Sequence, residues 1–162
     1  EIFYEGKKIL PHVLELSFGV DRNVWMLLDL FYSVGKEGSM FKFPPTLSPI
    51  KVAIFPLVKR PDFEKIAQEI FQDLKKMFSV VYDKSGSIGR RYARNDETGT
   101  FFCITIDDDS LKKKDVTVRV RDSGKQARIK IKNLKESLRK AIDEGENILK
   151  FGEIVNTRKK QP

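Results

Sequence analysis

Three groups of residues in this chain could do chemistry. The first is the run ELSFGVDR, residues 15–22, where Glu15, Ser17, Gly19, Asp21 and Arg22 gather at a predicted strand-to-helix junction. A helix N-terminus adds a positive field there, so a carboxylate, a hydroxyl and an arginine together suit a zwitterion held beside a phosphate. The competing reading is structural, with Ser17 or Asp21 capping the helix and Arg22 in solvent. The second group is DKSGSIGRRYARNDE, residues 83–97. Its glycines fit neither GxxxxGK[ST] nor GxGxxG, so a nucleotide loop is not expected. Arg90, Arg91 and Arg94 with Tyr92 between them could grip RNA phosphate and stack on an unpaired base. They could equally be a solvated helix paired with Asp96 and Glu97.

The third group is the basic stretch from Leu111 to Lys140, with twelve Lys and Arg against three acids, 12 − 3 = +9, more than the whole chain's +8. Val116, Val118 and Val120 alternate with Thr117, Arg119 and Arg121, so burying the valines is expected to turn both arginines outward. A row of outward charge can follow a phosphate backbone, or can simply keep a strand face soluble. Cys103 and His12 read as structural, and one of each cannot supply a four-ligand zinc site, so no metal site is expected.

The elements that position these groups follow from pattern. Residues 2–5 and 8–16 read as a hairpin about Glu5-Gly6, and the apolar residues of 23–34 recur at helical spacing. Residues 35–49, rich in Gly, Ser and Pro, look like a linker. A strand over 51–58 then leads to a helix with Asp62 as expected N-cap, whose face is Phe63, Ile66, Ala67, Ile70, Phe71, Leu74 and Met77. Strands over 79–82 and 101–106 flank a short helix capped by Ser87 and ended by Gly99. A hairpin about 122–124, with Ile129 and Ile131 on its second strand, leads to a last helix carrying Leu134, Leu138, Ala141 and Ile142. The fold class is α/β, with a mixed, partly parallel sheet of about five strands flanked by helices.

Composition narrows the partners. The net charge of +8 and pI near 9.5 favour a polyanion such as nucleic acid. The longest apolar run, Val24 to Leu28, is far short of the roughly 18 residues a membrane span needs, so no membrane role is expected. A single cysteine suggests a reducing compartment. The start at Glu1, already strand-like, suggests a piece of something longer.

Two runs carry a resemblance. SGSIGRRYARNDETGTFFCITIDDDSL, residues 85–111, closely resembles the signature of the glycyl-tRNA synthetase anticodon-binding domain, and PHVLELSFGVDR, residues 11–22, resembles the same family's third class II motif. The flanks PPTLSPIKVAIFPLV and VTVRVRDSGKQARIKI are similar to that family too, so the likeness covers about residues 1–145.

The resemblance implies four segments: residues 1–35 as the last strands and helix of an antiparallel class II catalytic domain, 36–46 as linker, 47–150 as anticodon-binding domain, and 151–162 as a basic tail. It implies that Arg22 is the catalytic arginine on ATP phosphate, with Gly19 and Asp21 beside ATP. Glu15, Ser17 and Gly19 would bind glycine. Arg90, Arg91, Tyr92, Arg94, Arg119 and Arg121 would meet the tRNA anticodon. ATP and Mg2+ would serve the full-length enzyme, whose partners would be tRNA(Gly) and a second copy in a cytoplasmic homodimer. The family's Pro between the glycine-binding Glu and Ser is Leu16 here, which frees a φ angle. Its common hairpin Asp is Val120 here. A non-catalytic nucleic-acid-binding paralogue is the alternative, as is a class II synthetase for proline, threonine or histidine.

Overall fold

The computed structural model describes residues 2–35 and 38–155, and divides the chain into two compact units, 1–30 and 31–162. The basic tail residues Arg158, Lys159 and Lys160 lie outside the described residues.

In the first unit, β1 (Ile2–Tyr4) and β2 (Lys7–Ile9) pair antiparallel across a two-residue turn. Both turn residues, Glu5 and Gly6, have positive φ, the turn whose twist matches a hairpin. The second strand ends at Ile9 rather than at residue 16, because β1 offers only three residues to pair with. Residues 10–19 have no regular structure, and α1 (Val20–Phe31) follows. No side chain of α1 is buried, although Val24, Trp25, Met26, Leu28 and Leu30 lie along it.

The second unit opens with a hairpin, β3 (Tyr32–Gly35) and β4 (Gly38–Phe41), in part of the stretch expected to be a structureless linker. Aromatic contacts explain it: Tyr32 faces Phe41 at 5.6 Å, and Phe41 stacks on Phe43 at 5.2 Å.

The main sheet has six strands in the order β10-β9-β8-β7-β5-β6. Next to the edge strand β6 (Val80–Tyr82) lies β5 (Val52–Pro56), paired parallel to β6 on one side and to β7 (Phe102–Ile106) on the other. Every residue of β5 and β7 is buried, as a strand covered on both faces requires. Antiparallel strands β8 (Asp115–Val120), β9 (Gln126–Lys130) and β10 (Glu153–Val155) extend the sheet. The sixth strand occupies residues expected to be tail. Ile148 anchors the 3-10 turn before it in the core, which delivers the chain to the edge of β9.

One face of the sheet packs on α2 (Pro61–Leu74) and α5 (Ile131–Asp143), joining Phe63, Ala67, Ile70, Leu74, Leu134, Leu138, Ala141 and Ile142 to Val52, Ile54, Ile104, Val116, Val118 and Ile129. The expected cap of α2 is corrected: Arg60 holds that position and Pro61 opens the helix. Asp62, one place further in, takes the Phe63 N–H and the Arg60 guanidinium instead. Proline at the first helical position, where no N–H is needed, sets this register. Ile131 likewise belongs to α5, since β9 ends at Lys130. The opposite face carries Ala53, Phe55 and Cys103 beneath Ile88 and Tyr92 of α3 (Ile88–Glu97). A short helix, α4 (Asp108–Lys113), completes the unit.

Candidate nucleic-acid interface

The sheet face under α3 collects most of the residues that sequence singled out. Ser87 caps α3 by accepting the Arg90 N–H, and Gly99 ends it at φ 82°. Capping fixes which side chains point down. Arg91 is 4% exposed and donates to the carbonyls of Pro56 at 2.6 Å and Leu57 at 3.2 Å. Tyr92, next along, meets Phe55 edge-on and shares a 2.6 Å hydrogen bond with the Thr105 hydroxyl. Arg90 and Arg94 remain exposed. Arg94 donates to Asp83 at 2.6 Å and to the Ser85 carbonyl at 2.8 Å, while Arg90 makes no ion pair among the described residues.

The expectation that Arg119 and Arg121 point outward is corrected. They do share one sheet face opposite the valines, but α3 and the chain before β5 cover that face. The Arg121 side chain is fully buried and donates to the carbonyls of Gly99 and Phe43, both at 2.8 Å, with its guanidinium 4.9 Å from the Phe101 ring centre. Arg119 is 15% exposed, forks onto Asp96 through two 2.8 Å bonds, and lies 4.9 Å from the Tyr92 ring centre. Burial alone would lower its pKa, but the Asp96 hydrogen bonds and charge outweigh that and raise it, so Arg119 stays charged.

Arg128 continues the row toward α4. It donates to Asp107 and Asp115, whose hydrogen bonds raise its pKa despite partial burial. Burial pushes the Asp107 carboxyl up. The Arg128 hydrogen bonds and charge, with the Ser110 N–H, outweigh burial and hold it below the usual carboxylate range. The basic density of 111–140 is therefore largely paired with acids and not a bare cationic stripe. Sequence reasoning did not assign Thr105 or Asp107 to this surface. The signal available for Asp107 was its place three residues before Ser110, which closes a capping box on α4.

Together these residues make a polar platform: the Tyr92 ring with Arg119 over it, the Thr105 hydroxyl beside it, paired arginines on either hand and Arg90 exposed at the margin. Such a surface can stack a base, donate and accept at its edge, and neutralise phosphate.

Residues 51–141 match the family described as the anticodon binding domain. The chain belongs to that family. It is 45% identical over 139 residues to a glycine–tRNA ligase of Thermococcus sibiricus, covering 85% of this chain and 24% of the relative. It is 42% identical over 141 residues to a glycine–tRNA ligase of Methanocaldococcus jannaschii, covering 86% and 24%. Among solved structures, a prolyl-tRNA synthetase of Cryptosporidium parvum superposes with a TM-score of 0.60 at 26% identity, over 70% of this chain and 24% of that one. The chain thus spans about a quarter of the length of the relatives it matches.

The residues expected around glycine and ATP belong to the first unit. Glu15, Ser17 and Gly19 lie in the irregular segment 10–19, and Asp21 and Arg22 in the first turn of α1, all exposed. Among the described residues no hydrogen bond or ion pair joins Glu15, Ser17 and Arg22. A local tie holds this junction: Asn23 donates through its backbone N–H and its side chain to the Gly19 carbonyl, at 3.1 and 2.9 Å. No helix among the described residues is long and apolar enough to cross a membrane.

Proposed function

We propose that this chain is the part of a glycine–tRNA ligase that binds the anticodon of tRNA(Gly), and that it also contributes the arginine-bearing third class II motif of the parent enzyme. Residues 47–150 are the anticodon-binding domain, 36–46 the connection, and 1–35 the end of the catalytic domain. The observation that carries this reading is the α3 platform, which falls within the family match and brings half-buried Tyr92 and the Arg119–Asp96 fork beside exposed Arg90. Arg90 and Arg94 meet phosphate, and the Tyr92–Arg119 pair faces a splayed base. Arg91 and Arg121, whose terminal guanidinium nitrogens donate to main-chain carbonyls, hold the platform in shape.

In the cytoplasmic parent, a homodimer, glycine is activated with ATP and Mg2+ and passed to tRNA. Glu15 pairs with the glycine ammonium, Ser17 and Gly19 shape its pocket, and Arg22, beside Asp21, neutralises phosphate charge. Within this chain these groups do not converge on a pocket, so the remainder of the parent must bring them together.

The test is filter binding of the 162-residue chain to tRNA(Gly) and to an anticodon-swapped tRNA at several salt concentrations. Arg90→Ala is expected to weaken both alike and flatten the slope of log K against log salt by about 0.7. Arg119→Ala is expected to reduce discrimination between the two tRNAs. Equal binding of both by the unaltered chain overturns the anticodon reading. Separately, the chain alone should support no glycine-dependent pyrophosphate exchange. In the parent, Arg22→Ala should slow adenylate formation by about two to four powers of ten while leaving tRNA affinity unchanged.

A further inference from the structure

On the sheet face away from α3, a cleft of about 780 Å³ opens between α2, α4 and the start of α5. That is the size of a small-molecule site. Its floor is aliphatic, formed by Ile66, Ile70 and Leu74 of α2, Leu111 of α4, and Ile131 and Leu134 of α5, with no aromatic ring among the lining residues. Its rim is cationic. Lys113, Lys114, Lys130, Lys132 and Lys135 line it against two acids, Glu69 and Asp73.

Three of these lysines are engaged: Lys113 with Asp109 at 3.5 Å, Lys130 with Asp115 at 3.3 Å and Lys135 with Asp73 at 3.2 Å. Lys114 and Lys132 are exposed and make no ion pair among the described residues. They sit close together, because the Ile131 N–H donates to the Lys114 carbonyl at 3.0 Å and ties the end of α4 to the start of α5. None of this surface serves the platform described above.

We infer that this cleft binds a small amphiphilic anion with an alkyl body, its charged head held between Lys114 and Lys132. The aliphatic floor selects the body, since a nucleobase would call for an aromatic side chain to stack on. The two lysines without acid partners select the head. A polypeptide helix fits less well, because the Lys135–Asp73 bridge crosses from α5 to α2 over the groove that such a helix would need.

Dodecanoate is the probe, titrated below its micelle concentration into the 15N-labelled chain and followed by amide shifts and calorimetry. Saturable binding is expected, with shifts centred on Ile66, Leu111, Ile131 and Lys132. Dodecyltrimethylammonium should bind at least about tenfold more weakly and butanoate not measurably, the first through charge and the second through lost apolar area. Lys132→Gln should weaken dodecanoate about three- to fivefold.

Lys114→Gly should do the same and yet stabilise the fold, because Lys114 has φ 51° at the end of α4, where glycine rests without strain. Its loss of affinity therefore cannot be ascribed to misfolding. Equal affinity for the anionic and cationic amphiphiles, shifts centred elsewhere, or lysine variants that bind as the parent does would each overturn the proposal. A leucine–glutamate amphipathic peptide that takes the same amides more tightly than dodecanoate would make the cleft a protein-docking groove instead.

Discussion

Arg119 of β8 and Asp96 of α3 face each other through two parallel hydrogen bonds of 2.8 Å, so an electrostatic fork fastens the helix to the sheet. Both side chains are mostly buried, and removing either leaves the other with an unmet charge. Arg119→Ala and Asp96→Ala should each lower unfolding stability by about 1 to 3 kcal/mol. The double variant should lose clearly less than the sum, by about 1 kcal/mol or more. Urea unfolding of the four proteins measures this, and additive losses would mean that the fork contributes nothing of its own.

Gly99 should resist substitution for two reasons that act together. Its φ of 82° suits glycine, and an added Cβ would lie 2.6 Å from the Phe43 ring and 3.0 Å from the Phe41 carbonyl. Its own carbonyl also accepts from Ser48 Oγ and Arg121 Nη1, both at 2.8 Å, so the backbone cannot shift to make room. Gly99→Ala should cost about 2 to 4 kcal/mol, whereas Gly89→Ala, on an open helix surface with nothing near the new methyl, should be neutral or stabilising. Thermal unfolding of the two variants separates them.

Cys103 should be inert while the protein is folded. Burial pushes its thiol up to about 12, so almost no thiolate exists at neutral pH. A thiol reagent such as iodoacetamide should modify it only after denaturant unfolds the sheet. Rapid labelling of the folded chain at neutral pH would contradict the placement of β7 at the sheet centre.

Acid should weaken the fold through the depressed carboxyls Asp83 and Asp107. In each, burial acts upward but the partner arginine's hydrogen bond and charge, with a backbone N–H, prevail. A carboxyl held low in the folded state contributes stability that is fully present above its unfolded pKa, near 4, and lost as pH falls through the folded value. Stability should therefore decline from about pH 5 downward, and Asp107→Asn should be less stable at pH 7 with a shallower decline. Chemical unfolding at pH 7, 5, 4 and 3 checks the sign, and a variant curve parallel to the parent's would refute it.

Local pattern made much of the architecture legible. The face Phe63, Ala67, Ile70, Leu74 of α2 and the Ser87 and Gly99 limits of α3 are readable because each depends on spacing or a cap within one element. Period-two alternation also placed Arg119 and Arg121 on one face correctly. What covers that face is a tertiary fact, and no spacing in 116–121 reveals that α3 and Phe43 close over it. Hence Arg121 reads as a surface charge in sequence and is buried in the structure. The hairpin of Tyr32–Phe41 was masked by its glycines, since the Tyr32–Phe41 ring contact that closes it joins residues nine apart. The grouping at Glu15, Ser17 and Arg22 is legible only as residue types, because nothing within these residues folds it into a pocket.

The last strand bears on where this unit can be cut. The family match stops at residue 141, but β10 lies beyond it and covers the outer edge of β9 with three paired residues. Gly152 delivers it, with the position of an added Cβ only 2.2 Å from the Arg128 carbonyl, so the chain passes too close for any side chain there. A chain ended at the match boundary would leave the Gln126–Lys130 edge with unmet N–H and C=O groups, open to pairing with the same edge of another copy. The segment after α5 thus belongs to the folded unit, because without it β9 becomes the outermost strand of the sheet.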